Sequence, residues 1–180
     1  MKRTGLLIAV IAGIVTASAV GVKAHAADVL QPGTTAPNFT LPSQDNTPIS
    51  LAEYKGKWVV LYFYPKDKTQ GCTIEAHNFQ RDLDKYKALN AVVLGVSLDT
   101  ADSHKSFCTK ESLTFKLLAD PEHKVVDAYG VNIMGMGPLK FAERDTFLID
   151  PSGKVVKAWK KVDPNTHSET VLAEITADKK

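Results

Sequence analysis

The sequence predicts one α/β domain, a three-layer sandwich with helices on both faces of a mixed sheet. Three observations predict it. Strand-like and helix-like segments alternate through most of the chain. The run Trp58-Val-Val-Leu-Tyr-Phe63 is β-branched and aromatic enough for a buried central strand. The turn signal Asp150-Pro-Ser-Gly153 joins two apolar runs in the clearest hairpin of the chain, which ends the sheet.

Residues 1–26 of the 180 read as a targeting segment. Lys2 and Arg3 precede an uncharged, mostly apolar stretch over residues 6–22, and Ala24-His25-Ala26 has the small-residue form of a cleavage site. The expectation is a signal peptide cleaved near Ala26 and a periplasmic or secreted protein. A retained anchor is the alternative, because the uncharged run approaches the roughly 20 residues of a membrane span. Residues 27–180 then form one domain. Without Lys2, Arg3 and Lys23 the chain carries 19 basic against 20 acidic residues. Such a balance gives no reason to expect nucleic acid as a partner, or a membrane beyond the export signal.

Taken in order, the segment around Gln31-Pro-Gly-Thr-Thr-Ala-Pro-Asn-Phe-Thr-Leu41 leads into a short edge strand. Residues 43–47 make a turn, and Ile49 and Leu51 belong to a return strand. Pro65 ends the central strand, since it has no N–H to donate. Cys72, Ala76, Phe79, Leu83 and Tyr86 recur at spacings of 4, 3, 4 and 3, which predicts one helix from Cys72 through Tyr86. Glu75, Asn78, Gln80, Arg81, Asp82, Asp84 and Lys85 are assigned to its solvated face. Residues 91–98 are an apolar strand suited to a sheet covered on both sides. A helix over 102–111 follows, capped by Asp99 or Thr100. Phe115, Leu117 and Leu118 mark another strand, and Asp120-Pro121 starts a helix that runs through Val125, Val126 and Tyr129 to Gly130. Residues 131–142 read as irregular. Strands at 145–149 and 154–159 and a helix at 168–177 complete the pattern.

Cys72 falls in the first turn of its predicted helix, where unpaired N–H groups and the helix dipole favour a thiolate. The plainer account is a small buried hydrophobe near a helix start. The surrounding residues carry a resemblance. Pro65-Lys-Asp-Lys-Thr69-Gln-Gly-Cys72 resembles the peroxiredoxin active-site pattern Pro-x(3)-Thr-x(2)-Cys. The wider wording, Tyr62-Phe-Tyr-Pro-Lys-Asp67 followed by Gly71-Cys-Thr-x-Glu-Ala76, is similar to the peroxiredoxin Q branch, also called bacterioferritin comigratory protein. The resemblance runs from about Gly33 to near Trp159. It implies a thioredoxin-like fold with an N-terminal β-hairpin extension. It also implies a monomeric enzyme without cofactor or metal that reduces hydrogen peroxide and organic hydroperoxides with electrons from a thioredoxin-like donor.

By the same resemblance, Cys72 attacks the peroxide and becomes a sulfenic acid, Thr69 hydrogen-bonds the peroxide and the thiolate, and Pro65 shields the site from water. Arg144 matches the arginine that stabilises the thiolate and the leaving oxyanion. From spacing alone Arg144 is as readily a strand-end charge pairing with Glu143 or Asp145. Thr69 stands where a thioredoxin-like reductase has its first cysteine, so a local dithiol shuttle is unavailable. Many relatives resolve the sulfenic acid with a cysteine five residues on, where this chain has His77. Others use the next helix, which implies a Cys72–Cys108 disulfide here. The alternative makes Cys108 an apolar filler beside Phe107. A disulfide requires Cα atoms within about 4.4–6.8 Å, and if two cysteines on separate helices lie much farther apart, local unwinding of both helices is needed. A different class of function, an extracytoplasmic metal-binding or copper-delivery protein on the same fold, would use Cys72, Cys108, His77 and His104 as ligands. A solvated helix histidine is the simpler account of His77. Met134 and Met136 suit either a contact surface or loop filling.

Overall fold

In the computed structural model, residues 30–137 and 139–178 are described, so the signal-peptide expectation lies outside them. The strands in chain order are β1 (Thr40–Pro42), β2 (Pro48–Ser50), β3 (Trp58–Phe63), β4 (Ala91–Ser97), β5 (Lys116–Ala119), β6 (Ile133–Met136), β7 (Leu139–Ala142), β8 (Thr146–Ile149) and β9 (Val155–Trp159). The helices are α1 (Gln70–Arg81), α2 (Leu83–Ala88), α3 (Ala101–Glu111), α4 (Lys124–Ala128) and α5 (His167–Asp178).

Five strands form one sheet in the order β5-β4-β3-β8-β9. β3, β4 and β5 run parallel, and β8 and β9 return antiparallel. All six residues of β3 are buried, as a strand covered on both faces requires. Val59, Leu61 and Phe63 point to one face, toward Phe39, Leu41, Ile49, Val126 and Tyr129. Trp58, Val60 and Tyr62 point to the other, where Cys72, Phe79, Tyr86, Phe107, Cys108 and Val171 gather. The two cysteines therefore belong to one core layer. Gly95 lies opposite Tyr62 in the β3–β4 register. A Cβ there would stand 2.7 Å from the Tyr62 hydroxyl, so the glycine makes room for the ring. β1 and β2 form the expected hairpin, with Leu41 opposite Ile49.

Three sequence expectations need correction. The helix expected to run unbroken through Tyr86 is interrupted at Asp82, where φ is −94° and ψ is 4°. The buried Asp82 carboxylate accepts hydrogen bonds from Arg81, Lys85 and the Ser168 hydroxyl, which tie this bend to α5. The apolar stripe nevertheless continues, with Leu83 and Tyr86 buried. The stretch 131–142, expected to be irregular, instead holds two strands: β6 and β7 pair antiparallel, Ile133 opposite Ala142 and Met134 opposite Phe141. Gly135 has φ +105°, and a Cβ on it would collide with the Leu139 carbonyl, so the glycine that suggested a loop is what the hairpin needs. Finally, α4 begins later than Asp120. The Asp120 carboxylate instead accepts from the N–H groups of Lys124, Val125 and Val126 and caps the helix from outside.

Candidate active site

β3 delivers the chain to Tyr64, whose N–H still bonds to Val96 of β4. Pro65 follows and ends the ladder. A short loop then reaches Thr69, which is extended at φ −78° and ψ 152° and stands as the N-cap of α1. Cys72 is the third residue of that helix and only 2% exposed. Pro65 is half-buried and Thr69 exposed. The Thr69 hydroxyl donates to the Lys66 carbonyl at 3.0 Å and not, as expected, to Cys72 Sγ, which closes the loop and leaves the hydroxyl oxygen able to accept.

Arg144, between β7 and β8, reaches over this first turn. Its Nη2 donates to Cys72 Sγ at 3.3 Å, while Nη1 forms an ion pair with Glu75. Gly71 permits the approach, because a Cβ there would already lie 3.4 Å from Nη2. Neither Glu143 nor Asp145 takes Arg144 as partner. Glu143 accepts from Asn132, and Asp145 from the Lys161 N–H. The spacing-only account of Arg144 is thus not what the structure holds.

Glu75 is the site residue that sequence reading assigned to solvent. It is fully buried, one helical turn from Cys72. Burial pushes its carboxyl up to about 7 from the ordinary value of 4.5, against the opposing charge and hydrogen bond of Arg144. Its Oε1 has no hydrogen-bond partner among the described residues. The signal was available: positions 72, 75, 76 and 79 share one helix face. His167, packed edge-on to Phe79 and Trp159, bonds to Thr146 Oγ1 at 2.8 Å. Burial, with Arg144 nearby, pushes it down to about 4, so it adds no second cation at neutral pH.

Cys108 lies on α3 and is 7% exposed; both thiols are free. Burial first, then the Asp67 and Asp45 carboxylates, pushes the Cys108 thiol up to about 11. Between the Cys72 loop and α3 lies a buried polar cluster of Tyr64, Asp67 and His104 that sequence reading did not assemble.

The metal-ligand set does not come together. His104 Nδ1 contacts Asp67 and its Nε2 contacts the Leu118 carbonyl. The His77 side chain is 51% exposed and bridges to Glu111 at 3.0 Å, the solvated helix histidine that was expected. Among the described residues no group of three or more His, Cys, Asp or Glu side chains is placed to hold a metal ion. A cavity of about 260 Å³ lined by Ala36, Leu51, Tyr54, Val59 and Ile149 belongs to the opposite face of the sheet from Cys72.

A thiol, a bidentate guanidinium and a buried carboxylate at a helix start define a thiol-based redox site on a thioredoxin-like fold. Residues 32–158 match the AhpC/TSA family profile, and the chain belongs to that family. It is 40% identical over 149 residues to peroxiredoxin Bcp of Bacillus subtilis, an alignment spanning 78% of this chain and 91% of that protein. It is also 40% identical over 141 residues to chloroplastic peroxiredoxin Q of Sedum lineare, spanning 78% and 75%. The crystal structure of a cysteine-to-serine mutant of Xylella fastidiosa PrxQ superposes with a TM-score of 0.80 at 36% identity, covering 86% of this chain and all of that one. Peroxidoxin BcpB from Mycobacterium tuberculosis gives 0.77 at 30% identity, covering 82% and 97%.

Proposed function

We propose that this chain is a thiol-dependent peroxidase in which Cys72 is the nucleophile. The observation that carries the reading is the Arg144 guanidinium, held by buried Glu75 and donating to Cys72 Sγ at 3.3 Å. In the first step the Cys72 thiolate attacks one peroxide oxygen. The S–O bond forms as the O–O bond breaks, the sulfur becomes a sulfenic acid, and the departing oxygen is protonated to water or an alcohol. Charge grows on that oxygen in the transition state, where a fixed guanidinium fork is most effective. The Thr69 hydroxyl, already donating to Lys66, accepts from the peroxide O–H. Pro65 limits water at the loop.

In the second step the Cys108 thiol displaces hydroxide from the sulfenic sulfur. A Cys72–Cys108 disulfide forms and water leaves. A dithiol reductant of thioredoxin type then returns both thiols and is itself oxidised to a disulfide. Organic hydroperoxides belong to the substrate class as well as hydrogen peroxide. A bacterioferritin comigratory protein of Xanthomonas campestris, 36% identical with a TM-score of 0.75, is described by its alkyl peroxide reduction activity, which supports that breadth. The enzyme acts as a monomer outside the cytoplasm, on the strength of residues 1–26 for its address; fractionation of the producing cell tests the latter.

Peroxide consumption by the reduced protein, with dithiothreitol or thioredoxin as donor, tests the reading. Turnover by the wild type and its loss in Cys72→Ser are expected. Consumption that survives Cys72→Ser would overturn it. The copper-delivery alternative has no support from the relatives, whose names are those of peroxiredoxins.

A further inference from the structure

We propose that Asp67 is a positioning residue for the second half of the reaction, a latch that holds the Cys72 loop against the Cys108 helix. The proposal rests on Cys108 being the resolving thiol. One movement would then serve two ends: unwinding the loop frees Cys72 to reach across and withdraws the carboxylate bonded to His104, one helical turn from Cys108.

Asp67 lies midway between Pro65 and Thr69, yet it is only 5% exposed. Its carboxylate accepts from the Tyr64 hydroxyl at 2.7 Å, from the Ser103 hydroxyl at 2.7 Å and from His104 Nδ1 at 2.9 Å. Ser103 and His104 are both on α3. The other ring nitrogen of His104 stands 3.2 Å from the Leu118 carbonyl, which can only accept, so both nitrogens face acceptors. The Asp67 N–H donates to Asp99 Oδ2 at 2.9 Å, and Asp99 in turn accepts from Ser97 at the end of β4. Lys68 Nζ adds a bond to Ser106 at 2.9 Å. Side chain and backbone of one loop residue thus tie the loop to α3 and to the C-terminal end of β4.

His104 and Cys108 are four residues apart, one above the other on the same face of α3. The latch therefore closes one helical turn from the resolving thiol. Burial disfavours a Cys108 thiolate most; among charges the Asp67 carboxylate follows, then Asp45, with Lys116 opposing them. While the loop is folded, Cys108 stays a buried thiol. Lys68, beside Asp67, is held at φ +63°, a left-handed conformation that a lysine leaves readily once the loop is released.

The step being governed balances without any further reagent. Cys72–SOH and Cys108–SH give the disulfide and one water, the S–O bond breaking as the S–S bond forms. Its competitor is a second peroxide molecule, which converts the sulfenic acid to sulfinic acid. A latch that holds the loop folded slows resolution and leaves the sulfenic acid open to that competitor.

The test is stopped-flow oxidation of the reduced wild type and Asp67→Asn with hydrogen peroxide, with acid-quenched mass spectrometry resolving sulfenic acid, disulfide and sulfinic acid. The ratio of the resolution rate to the oxidation rate should rise about tenfold in Asp67→Asn, equivalent to about 1.4 kcal/mol. That lies near the lower end of what a hydrogen bond to a charged group supplies. Sulfinic acid at excess peroxide should fall in parallel. Val126→Ala, a core truncation on the opposite sheet face, controls for general loosening and should leave the ratio within twofold, on the order of measurement error. A ratio unchanged in Asp67→Asn, or raised equally by Val126→Ala, overturns the latch while Cys108 still resolves. A wild type that never loses two hydrogens overturns the latch and the Cys108 assignment together. Native-state alkylation of Cys108 in a Cys72→Ser background is the second readout. Ser103→Ala, which keeps the Asp67 charge, should accelerate it less than Asp67→Asn; equal acceleration would contradict the electrostatic part.

Discussion

Arg144→Met separates what the guanidinium does for the fold from what it does for the chemistry. In the wild type the pair is nearly dry, with Glu75 1% and Arg144 14% exposed in their side chains. The folded Glu75 carboxyl sits at about 7 against an ordinary 4.5. The proton it binds therefore stabilises the fold fully below pH 4.5, and that stability is lost as pH rises through about 7. Over the whole window the loss amounts to about 3 kcal/mol. Removing Arg144 takes away the charge that opposes burial, so the carboxyl rises further. At pH 8 the first unit of rise above about 7 adds about 1 kcal/mol of destabilisation that is absent at pH 5.5, and further rise adds little as the folded carboxyl becomes fully protonated. Urea unfolding at both pH values should show Arg144→Met losing about 1 kcal/mol more at the higher pH. In Arg144→Met/Glu75→Gln this pH-dependent increment should vanish, because no buried carboxyl remains to ionise. Peroxide reduction should behave differently. It should fall about 10²–10³-fold in the single variant and stay low in the double, as loss of an oxyanion donor predicts. Destabilisation equal at both pH values, or a double variant that regains the peroxide rate, would refute the reasoning.

Three further outcomes follow from the same geometry. Gly95→Ala should lower stability by about 1–3 kcal/mol by forcing Tyr62 and Leu117 apart, read as a lower thermal midpoint. Asp82→Asn should lose about 2 kcal/mol at pH 7, measured by urea unfolding. The Arg81 hydrogen bond, foremost among its partners, holds the Asp82 carboxyl well below the usual carboxylate range, so the loss should shrink only as pH falls below that range toward the depressed folded value. The exposure of Arg81 and Lys85, 50% and 66%, keeps the value modest. Thr69→Val should reduce the second-order rate with peroxide about tenfold, whereas Thr69→Ser keeps the accepting oxygen and most of the rate.

The layers of this fold were legible because they rest on periodicity. The all-apolar run of β3 and the 4, 3, 4, 3 spacing from Cys72 each specify a burial pattern that neighbouring residues can only accommodate. The interruption at Asp82 was not legible, since it depends on Ser168 arriving from α5, which no local pattern reveals. The β6–β7 hairpin was hidden for the opposite reason: its glycines carry the ordinary signature of a loop while supplying the positive φ that the turn requires. In the site, motif spacing singled out Cys72, Thr69 and Pro65, and the resemblance that the motif carries added Arg144, which spacing alone left open. Glu75 was passed over because a carboxylate is normally read as solvated, although its place on the Cys72 face argued otherwise. Asp67, Tyr64 and His104 meet through residues 37 and 40 positions apart, a tertiary fact that sequence order does not encode.

The central claim, that Cys72 is oxidised by peroxide and Cys108 resolves it, is tested most directly by intact mass. Reduced wild type and Cys108→Ser are each treated with one equivalent of hydrogen peroxide. The account predicts loss of two hydrogens in the wild type and a dimedone-trappable sulfenic acid on Cys72 in the variant. Sulfenic or sulfinic acid in both would contradict the role of Cys108, and no change of mass in either would contradict the peroxidase itself.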